Sequence, residues 1–234
     1  MKHVKWLVAG VALAVSGVAS AGEFSATVTA TSDYDFRGIT QTKGDPALQG
    51  SVDYGFDNGL YVGAWASNVD FGDCCDESVE VDLYAGWAGG DEEGVTWDVG
   101  GVWYAYPGGD DLDYPEIWAG AAYGMFDVKV WYSWDFFALG ESAYYVEGNL
   151  NVPLPQDWGL VFHAGYSDGK AWDPEFLGES YFDYKVGVAK SWGNFDFELA
   201  WVDGSDYGPG NDAEDDVGSS DGRVILSVST TFPW

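Results

Sequence analysis

The sequence predicts an all-β fold: a transmembrane, antiparallel, up-and-down β-barrel of about twelve strands, preceded by a cleaved signal peptide. Three observations carry that expectation. After residue 21, apolar and polar residues alternate with period two along most of the chain; side chains alternate across a strand, so each such segment has one apolar and one polar face. The connections alternate between short and long, as in outer-membrane barrels, whose short turns are periplasmic and whose long loops lie at the cell surface. The rings also concentrate near the ends of the apolar faces, as in the aromatic girdles at the two membrane interfaces.

Composition narrows the partners. The chain has 234 residues, 47% of them apolar and 18% aromatic, and 39 acids against 9 Lys and Arg give a formal charge of −30. A nucleic-acid partner is excluded, because phosphate contacts need a basic face that so few scattered cations cannot make. Disorder is excluded as well. Acidic disordered chains are poor in aromatics, whereas 13 Trp, 15 Tyr and 13 Phe here need shielding from water. One domain is the default at this length.

The N-terminus reads as an export signal. Lys2 and Lys5 precede an apolar run over residues 6–15, and Ala19-Ser20-Ala21 is a small-x-small cleavage pattern. Residues 1–21 are thus expected to be removed, leaving residues 22–234 as the barrel; an uncleaved anchor is the alternative. The loss of two lysines and no acid takes −30 to −32. Beyond residue 21 the longest stretch free of charged residues is 58–69, well short of the roughly 20 apolar residues of a spanning helix.

The strands follow in order. Over 24–36 the even positions read Phe, Ala, Val, Ala, Ser, Tyr, Phe, and the whole segment is expected as one strand. Over 48–57, Leu48, Val52, Tyr54 and Phe56 oppose Gln49, Ser51, Asp53 and Asp57, and Asn58-Gly59 then predicts a type I′ hairpin turn. Val79, Val81, Leu83 and Trp87 oppose Glu80, Asp82 and Tyr84; Val95, Trp97, Val99 and Trp103 oppose Thr96, Asp98 and Tyr104. Phe126, Val128, Val130, Tyr132, Trp134 and Phe136 oppose Asp127, Lys129, Ser133 and Asp135. Tyr144, Val146, Leu150 and Val152 oppose Glu147, Asn149 and Asn151; Phe182, Tyr184, Val186 and Val188 oppose Asp183 and Lys185. Phe195, Phe197, Leu199 and Trp201 oppose Asp196 and Glu198, and Arg223 to Trp234 closes the series. Segments 60–71, 117–123 and 160–166 mix small and aromatic residues on both faces.

Short connections are expected near 58–59, 90–94, 124–125, 153–158 and 192–194, and longer, more acidic ones at 38–46, 72–77, 107–115, 137–141, 168–180 and 204–221. An even number of strands brings both termini to the periplasmic side. A secreted β-sandwich or propeller also alternates, but segments of about ten residues and the placement of the rings favour the membrane barrel.

Thr31-Ser32-Asp33-Tyr34-Asp35-Phe36-Arg37-Gly38-Ile39-Thr40-Gln41-Thr42, then Asp45-Pro46-Ala47-Leu48-Gln49-Gly50, Ser67-Asn68-Val69-Asp70-Phe71 and Glu80-Val81-Asp82-Leu83-Tyr84-Ala85-Gly86, resemble the TorF porin family, also called the Gcw_chp domain family. The resemblance spans the mature chain and is clearest in its first third. It implies an outer-membrane protein of Gram-negative bacteria that acts as a channel. The aromatic Trp234 resembles the C-terminal signal read by the barrel-insertion machinery, although Pro233 before it cannot donate to a ladder.

By parity, the lumen should hold Asp53, Glu80, Asp82, Asp98, Glu116, Asp127, Asp135, Glu147, Asp183, Asp196 and Glu198, against Arg37, Lys129, Lys185 and Arg223, with His163 also inward. Acidic walls of low dielectric concentrate cations, so the expectation is a narrow, cation-preferring passive channel for small hydrophilic solutes. Inward rings such as Trp118, Trp131 and Tyr145 narrow or plug the bore, which keeps open a non-conducting structural or adhesive barrel acting through its acidic surface loops. No triad is visible around His163 and no cofactor or metal ligand set is recognised, so no enzyme activity is expected. Cys74 and Cys75 are adjacent in the second long loop and could bridge to one another, pair between chains or bind a metal; a loop-stiffening disulfide is preferred. The acidic runs 110–113 and 211–216 lack EF-hand spacing and read as solvated loops, with divalent bridging to lipopolysaccharide phosphates as a secondary idea.

Overall fold

In a computed structural model, which describes residues 22–72, 77–91, 93–108, 112–208 and 218–233, alternation is realised as strands. In chain order they are β1 (Glu23–Thr31), β2 (Asp35–Phe36), β3 (Ile39–Thr40), β4 (Ala47–Gly55), β5 (Leu60–Asn68), β6 (Val79–Gly90) and β7 (Val95–Ala105). They continue as β8 (Tyr114–Tyr123), β9 (Phe126–Ser133), β10 (Ala143–Leu154), β11 (Trp158–Asp168), β12 (Tyr181–Trp192), β13 (Phe195–Gly204) and β14 (Arg223–Phe232). Twelve of them form a closed antiparallel barrel, and β2 and β3 make a separate two-stranded hairpin. Each wall strand pairs with its sequence neighbour, and β1 closes the ring by pairing with both β4 and β14, for example Val28 with Gly50 and with Thr230. Closure leaves the barrel no free edge, so every wall strand has a ladder partner on both sides. Among the described residues no helix is long and apolar enough to cross a membrane.

The outward face is apolar and exposed around the ring: Leu83, Val99, Val130, Val186, Leu199 and Leu226 all stand out from the wall. Outward rings meet in pairs near both rims, Trp87 with Trp97 at 5.1 Å and Tyr166 with Phe182 at 4.6 Å. The inward face is the opposite parity and is largely buried. The three irregular segments now have a physical reason. Inward glycines make room for rings on adjacent strands: a Cβ on Gly63 would collide with the Tyr84 ring, one on Gly86 with Tyr61, one on Gly100 with Trp118 and one on Gly165 with the Tyr145 hydroxyl. Small and large residues therefore share a face because they interlock.

Four expectations on local structure are corrected. The first strand ends at Thr31, not at 36. Asp33, buried, accepts hydrogen bonds from the Thr40 (2.5 Å) and Thr42 (3.0 Å) hydroxyls, which turns the chain into the barrel, so Tyr34 and Phe36 are interior rather than outward. Asn58-Gly59 does not form a type I′ turn. Only Gly59 has positive φ (83°), and the Phe56 carbonyl accepts from the Gly59 N–H at 3.1 Å. Among the described residues, a two-residue hairpin loop with positive φ at both positions is instead Arg37-Gly38, between the paired Phe36 and Ile39. Strand β9 ends at Ser133, so Phe136 leaves the outward series and is fully buried. The first irregular segment is also shorter than expected: β5 stops at Asn68 rather than 71. Pro233 follows the last strand residue, Phe232, so the ladder does not ask it for a donor. Residues 1–21, Cys74, Cys75, Asp110, Asp111, the run 211–216 and Trp234 lie outside the described residues.

Candidate functional site

The interior of the barrel brings together nearly all the residues picked out by parity. Along β4–β8 it presents Asp53, Glu80, Asp82, Asp98 and Glu116, and these five strands contain no Lys, Arg or His. Along β9–β14 it presents Asp127, Lys129, Glu147, His163, Asp183, Lys185, Asp196, Glu198 and Arg223. One wall is thus purely acidic and the other mixed.

Most of these groups have partners. Asp53 accepts from the Ser51 hydroxyl at 2.9 Å and from the Tyr84 hydroxyl, Glu80 from the Tyr34 hydroxyl at 2.7 Å, and Asp98 from the Tyr61 hydroxyl at 2.7 Å and from the Trp118 indole. Lys129 sits 3.6 Å from Asp98 and over the Trp131 ring at 5.1 Å; Lys185 donates to Glu198 at 3.0 Å. Asn149 donates to Asp127 at 2.9 Å, Trp131 donates to Glu147 at 2.8 Å, and the Ser191 hydroxyl donates to Asp196. His163 pairs through Nδ1 with Asn149 Oδ1 at 2.7 Å and through Nε2 with Asp183 Oδ1 at 2.8 Å. Among the described residues the hydroxyl bonded to His163 is that of Tyr145 (2.9 Å), in place of the serine a hydrolytic triad would need. Asp82 is buried with Oδ1 unpartnered. Asp135, expected on the wall, lies in the turn after β9, where it accepts from the Gly140 N–H at 2.7 Å.

Sequence reasoning missed what fills this interior. The loop between β1 and β4 folds into the barrel as the β2–β3 hairpin, with Phe36 opposite Ile39 and the tip made by Arg37 (φ 54°) and Gly38 (φ 84°). A glycine is required at the second tip position twice over: by its positive φ and because a Cβ there would strike the Cβ of Asp183. The signal was present, a residue-Gly pair flanked by Phe and Ile, but it lay inside a segment whose alternation already read as wall strand.

The tip is bound tightly. Arg37 makes a two-pronged ion pair with Glu116, Nη1 to Oε1 at 3.0 Å and Nη2 to Oε2 at 2.6 Å, and the Glu116 side chain is 0% exposed. Tyr104 donates to the same carboxylate at 3.1 Å. The guanidinium lies over the rings of Tyr145 (4.5 Å), Phe36 (4.6 Å) and Trp131 (5.7 Å), and the Tyr181 hydroxyl donates to the Arg37 carbonyl at 3.0 Å. Burial by itself would lower the Arg37 pKa; the adjoining Glu116 carboxylate outweighs it and holds the guanidinium above its ordinary value. At the base of the hairpin, Arg223 donates to both Asp33 and Asp35, and the Thr40 N–H donates to the Ser219 carbonyl at 3.0 Å. Burial pushes the Asp35 carboxyl up, with Arg223 pulling the other way.

Beside the tip lies a cavity of about 70 Å³ lined by Arg37, Glu147, Asn149, His163, Asp183 and Lys185 with the rings of Tyr104, Trp131 and Tyr145. Charged groups and ring faces share its lining, and it is roomy enough for several waters. Above it, toward the long loops, rings close the interior: Tyr104 stacks on Tyr114 at 4.5 Å, Tyr114 meets Phe136 at 5.1 Å, and Trp172 meets Tyr181 at 4.8 Å and Tyr207 at 5.7 Å.

Residues 15–232 match the family model described as "Bacterial protein of unknown function (Gcw_chp)". That description assigns no activity and does not carry the TorF name. No curated protein matches the chain. Among solved structures, the NanC porin is similar with a TM-score of 0.59 at 8% identity, covering 91% of this chain and 100% of that one. The KdgM porin gives 0.54 at 10% identity, covering 90% and 99%. A KdgM porin in complex with disordered oligogalacturonate gives 0.57 at 10% identity, covering 90% and 100%. At such identities the likeness is one of fold, a barrel of the same architecture over nearly the whole length of both chains.

Proposed function

The chain belongs to the Gcw_chp family, and on that premise we propose that it is an outer-membrane, porin-like passive channel for small hydrophilic solutes with a preference for cations. The observation that carries the reading is the sorting of residues by face. A continuous outward band of exposed aliphatics and rings suits hydrocarbon, and a closed ladder leaves no backbone group unpaired within it. Facing inward, the acids outnumber Arg37, Lys129, Lys185 and Arg223, and in a low-dielectric tube that imbalance attracts cations. The porin likeness supports the channel class.

The reading extends to the parts of the chain not described above: residues 1–21 as the cleaved export signal, Trp234 as a signal for the barrel-insertion machinery, and outer-membrane lipid and lipopolysaccharide as the surroundings. The oligogalacturonate of the KdgM complex is a polyanion. The acidic wall on β4–β8 argues against carrying that solute over to this chain. The inward-folded hairpin makes the path narrow, and the inward-facing wall acids line the pore by their orientation.

A salt-gradient recording in a planar bilayer tests the proposal: a reversal potential of cation sign supports it, and an anion sign or no conductance overturns it. One observation favours a second reading, a non-conducting structural or adhesive barrel: rings and hairpin together fill the loop end. Shortening loop 205–222 separates the two, since a channel keeps conducting and an adhesive barrel loses its surface partner.

A further inference from the structure

We propose that Arg37 occupies, from its own chain, a receptor for organic cations: the Glu116 carboxylate and the faces of Tyr145 and Trp131 form a site for a guanidinium- or ammonium-bearing solute that competes with Arg37. The inference rests on the channel reading only for the route by which the solute arrives; binding itself needs no conduction.

The receptor is built on the wall and its occupant is not. Glu116 comes from β8, Trp131 from β9, Tyr145 from β10 and the supporting Tyr104 from β7, which are consecutive strands of the barrel. Arg37 comes from a loop that leaves the wall after Thr31 and rejoins it at Ala47. The chemistry of the site is that of a guanidinium host. A planar fork meets a carboxylate with two parallel N–H···O bonds of 3.0 and 2.6 Å, and ring faces lie 4.5 and 5.7 Å from its central carbon. A small hydrated metal cation offers neither the fork nor the flat surface.

The same geometry explains why an incoming cation would matter. Glu116 is wholly buried and no cation on β4–β8 can replace Arg37. Withdrawing the tip leaves that carboxylate uncompensated, which is strongly unfavourable unless another cation takes the place. The cavity lined by Arg37, Glu147 and Asp183 gives an arriving group a polar foothold beside the guanidinium. Arg223 with Asp33 and Asp35, and Tyr34 with Glu80, hold the base of the hairpin, and Arg223 Nη1 also donates to the Gly38 carbonyl at 3.0 Å. Displacement is therefore confined to Arg37 and its immediate flanks, and the Arg37 side chain acts as a tethered competitor.

The test uses the full chain in detergent micelles with ethylguanidinium as probe and neutral ethylurea as control. By calorimetry, Arg37→Ala is expected to bind ethylguanidinium about tenfold or more tightly than the native chain, since a tethered competitor has been removed. Ethylurea should bind to neither, and the double variant Arg37→Ala/Glu116→Gln should lose the ethylguanidinium site. In the native chain, ethylguanidinium should speed amide exchange at residues 37–39 while leaving the wall strands unchanged. Absence of binding to a folded Arg37→Ala overturns the proposal. So does binding to Arg37→Ala with no change in native tip exchange, which would make Arg37 a structural side chain only. If Arg37→Ala does not fold, the native exchange measurement decides alone. Failure of the channel reading shows up elsewhere, as a silent bilayer with ethylguanidinium binding intact.

Discussion

The two ends of the barrel interior are made by the same strands and are filled in opposite ways. Toward the long loops, Tyr104, Tyr114, Phe136 and Tyr181 are completely buried, and the β2–β3 hairpin packs its ion pairs among them. Toward the short turns, Ser51, Asp53, Asp127, Asn149, Asn151 and Asp196 remain partly open. Part of the difference comes from the strands, whose inward positions carry the rings Tyr104, Tyr114 and Tyr181 at the loop end and polar residues such as Asp53 and Asp127 at the turn end. The rest comes from the loops, which have their length at one end and return Phe136 and the β2–β3 hairpin into the bore there. On the channel reading, any barrier to passage therefore belongs to the loop half, and the turn half is a polar vestibule.

The largest expected effect comes from removing that asymmetry. Replacing residues 33–42 with a short Gly-Ser connection should raise single-channel conductance several-fold while leaving β-sheet circular dichroism unchanged; unchanged conductance would place the barrier elsewhere. Next, Glu116→Gln strands a buried guanidinium and should cost about 4 kcal/mol of stability, measured by urea unfolding in lipid vesicles. Phe136→Ala opens a void among the loop-end rings and should cost about 3 kcal/mol, with protease sensitivity rising at the loops before the wall unfolds. At the vestibule, Asp53→Asn keeps the shape that meets the Tyr84 and Ser51 hydroxyls and should cost no more than about 1 kcal/mol. Its main effect should be a small drop in cation preference. Equal losses at Phe136 and Asp53 would contradict the contrast between the ends.

The wall was readable from sequence because its pattern is local. Period two placed Val128, Val130 and Tyr132 outward and Asp127 and Lys129 inward from a few residues alone. The same pattern failed at Tyr34, Phe36 and Phe136. An apolar side chain that a loop buries inside the barrel looks, in sequence, like one that faces lipid, and only contacts with distant strands tell them apart. Tyr34 bonds Glu80, and Phe136 packs on Tyr114 and Trp172. For the site, the inward acids were legible by parity. Their partners were not, because Arg37 with Glu116 and Arg223 with Asp33 join positions far apart in the chain.

The central claim is that the interior acids make this barrel a cation-preferring channel. The most direct measurement is the reversal potential of the native chain and of the hairpin-excised barrel in planar bilayers under the same salt gradient. Both are expected to give a potential of cation sign, with the larger current in the excised form. An anion-favouring potential, or silence from both, would contradict the account.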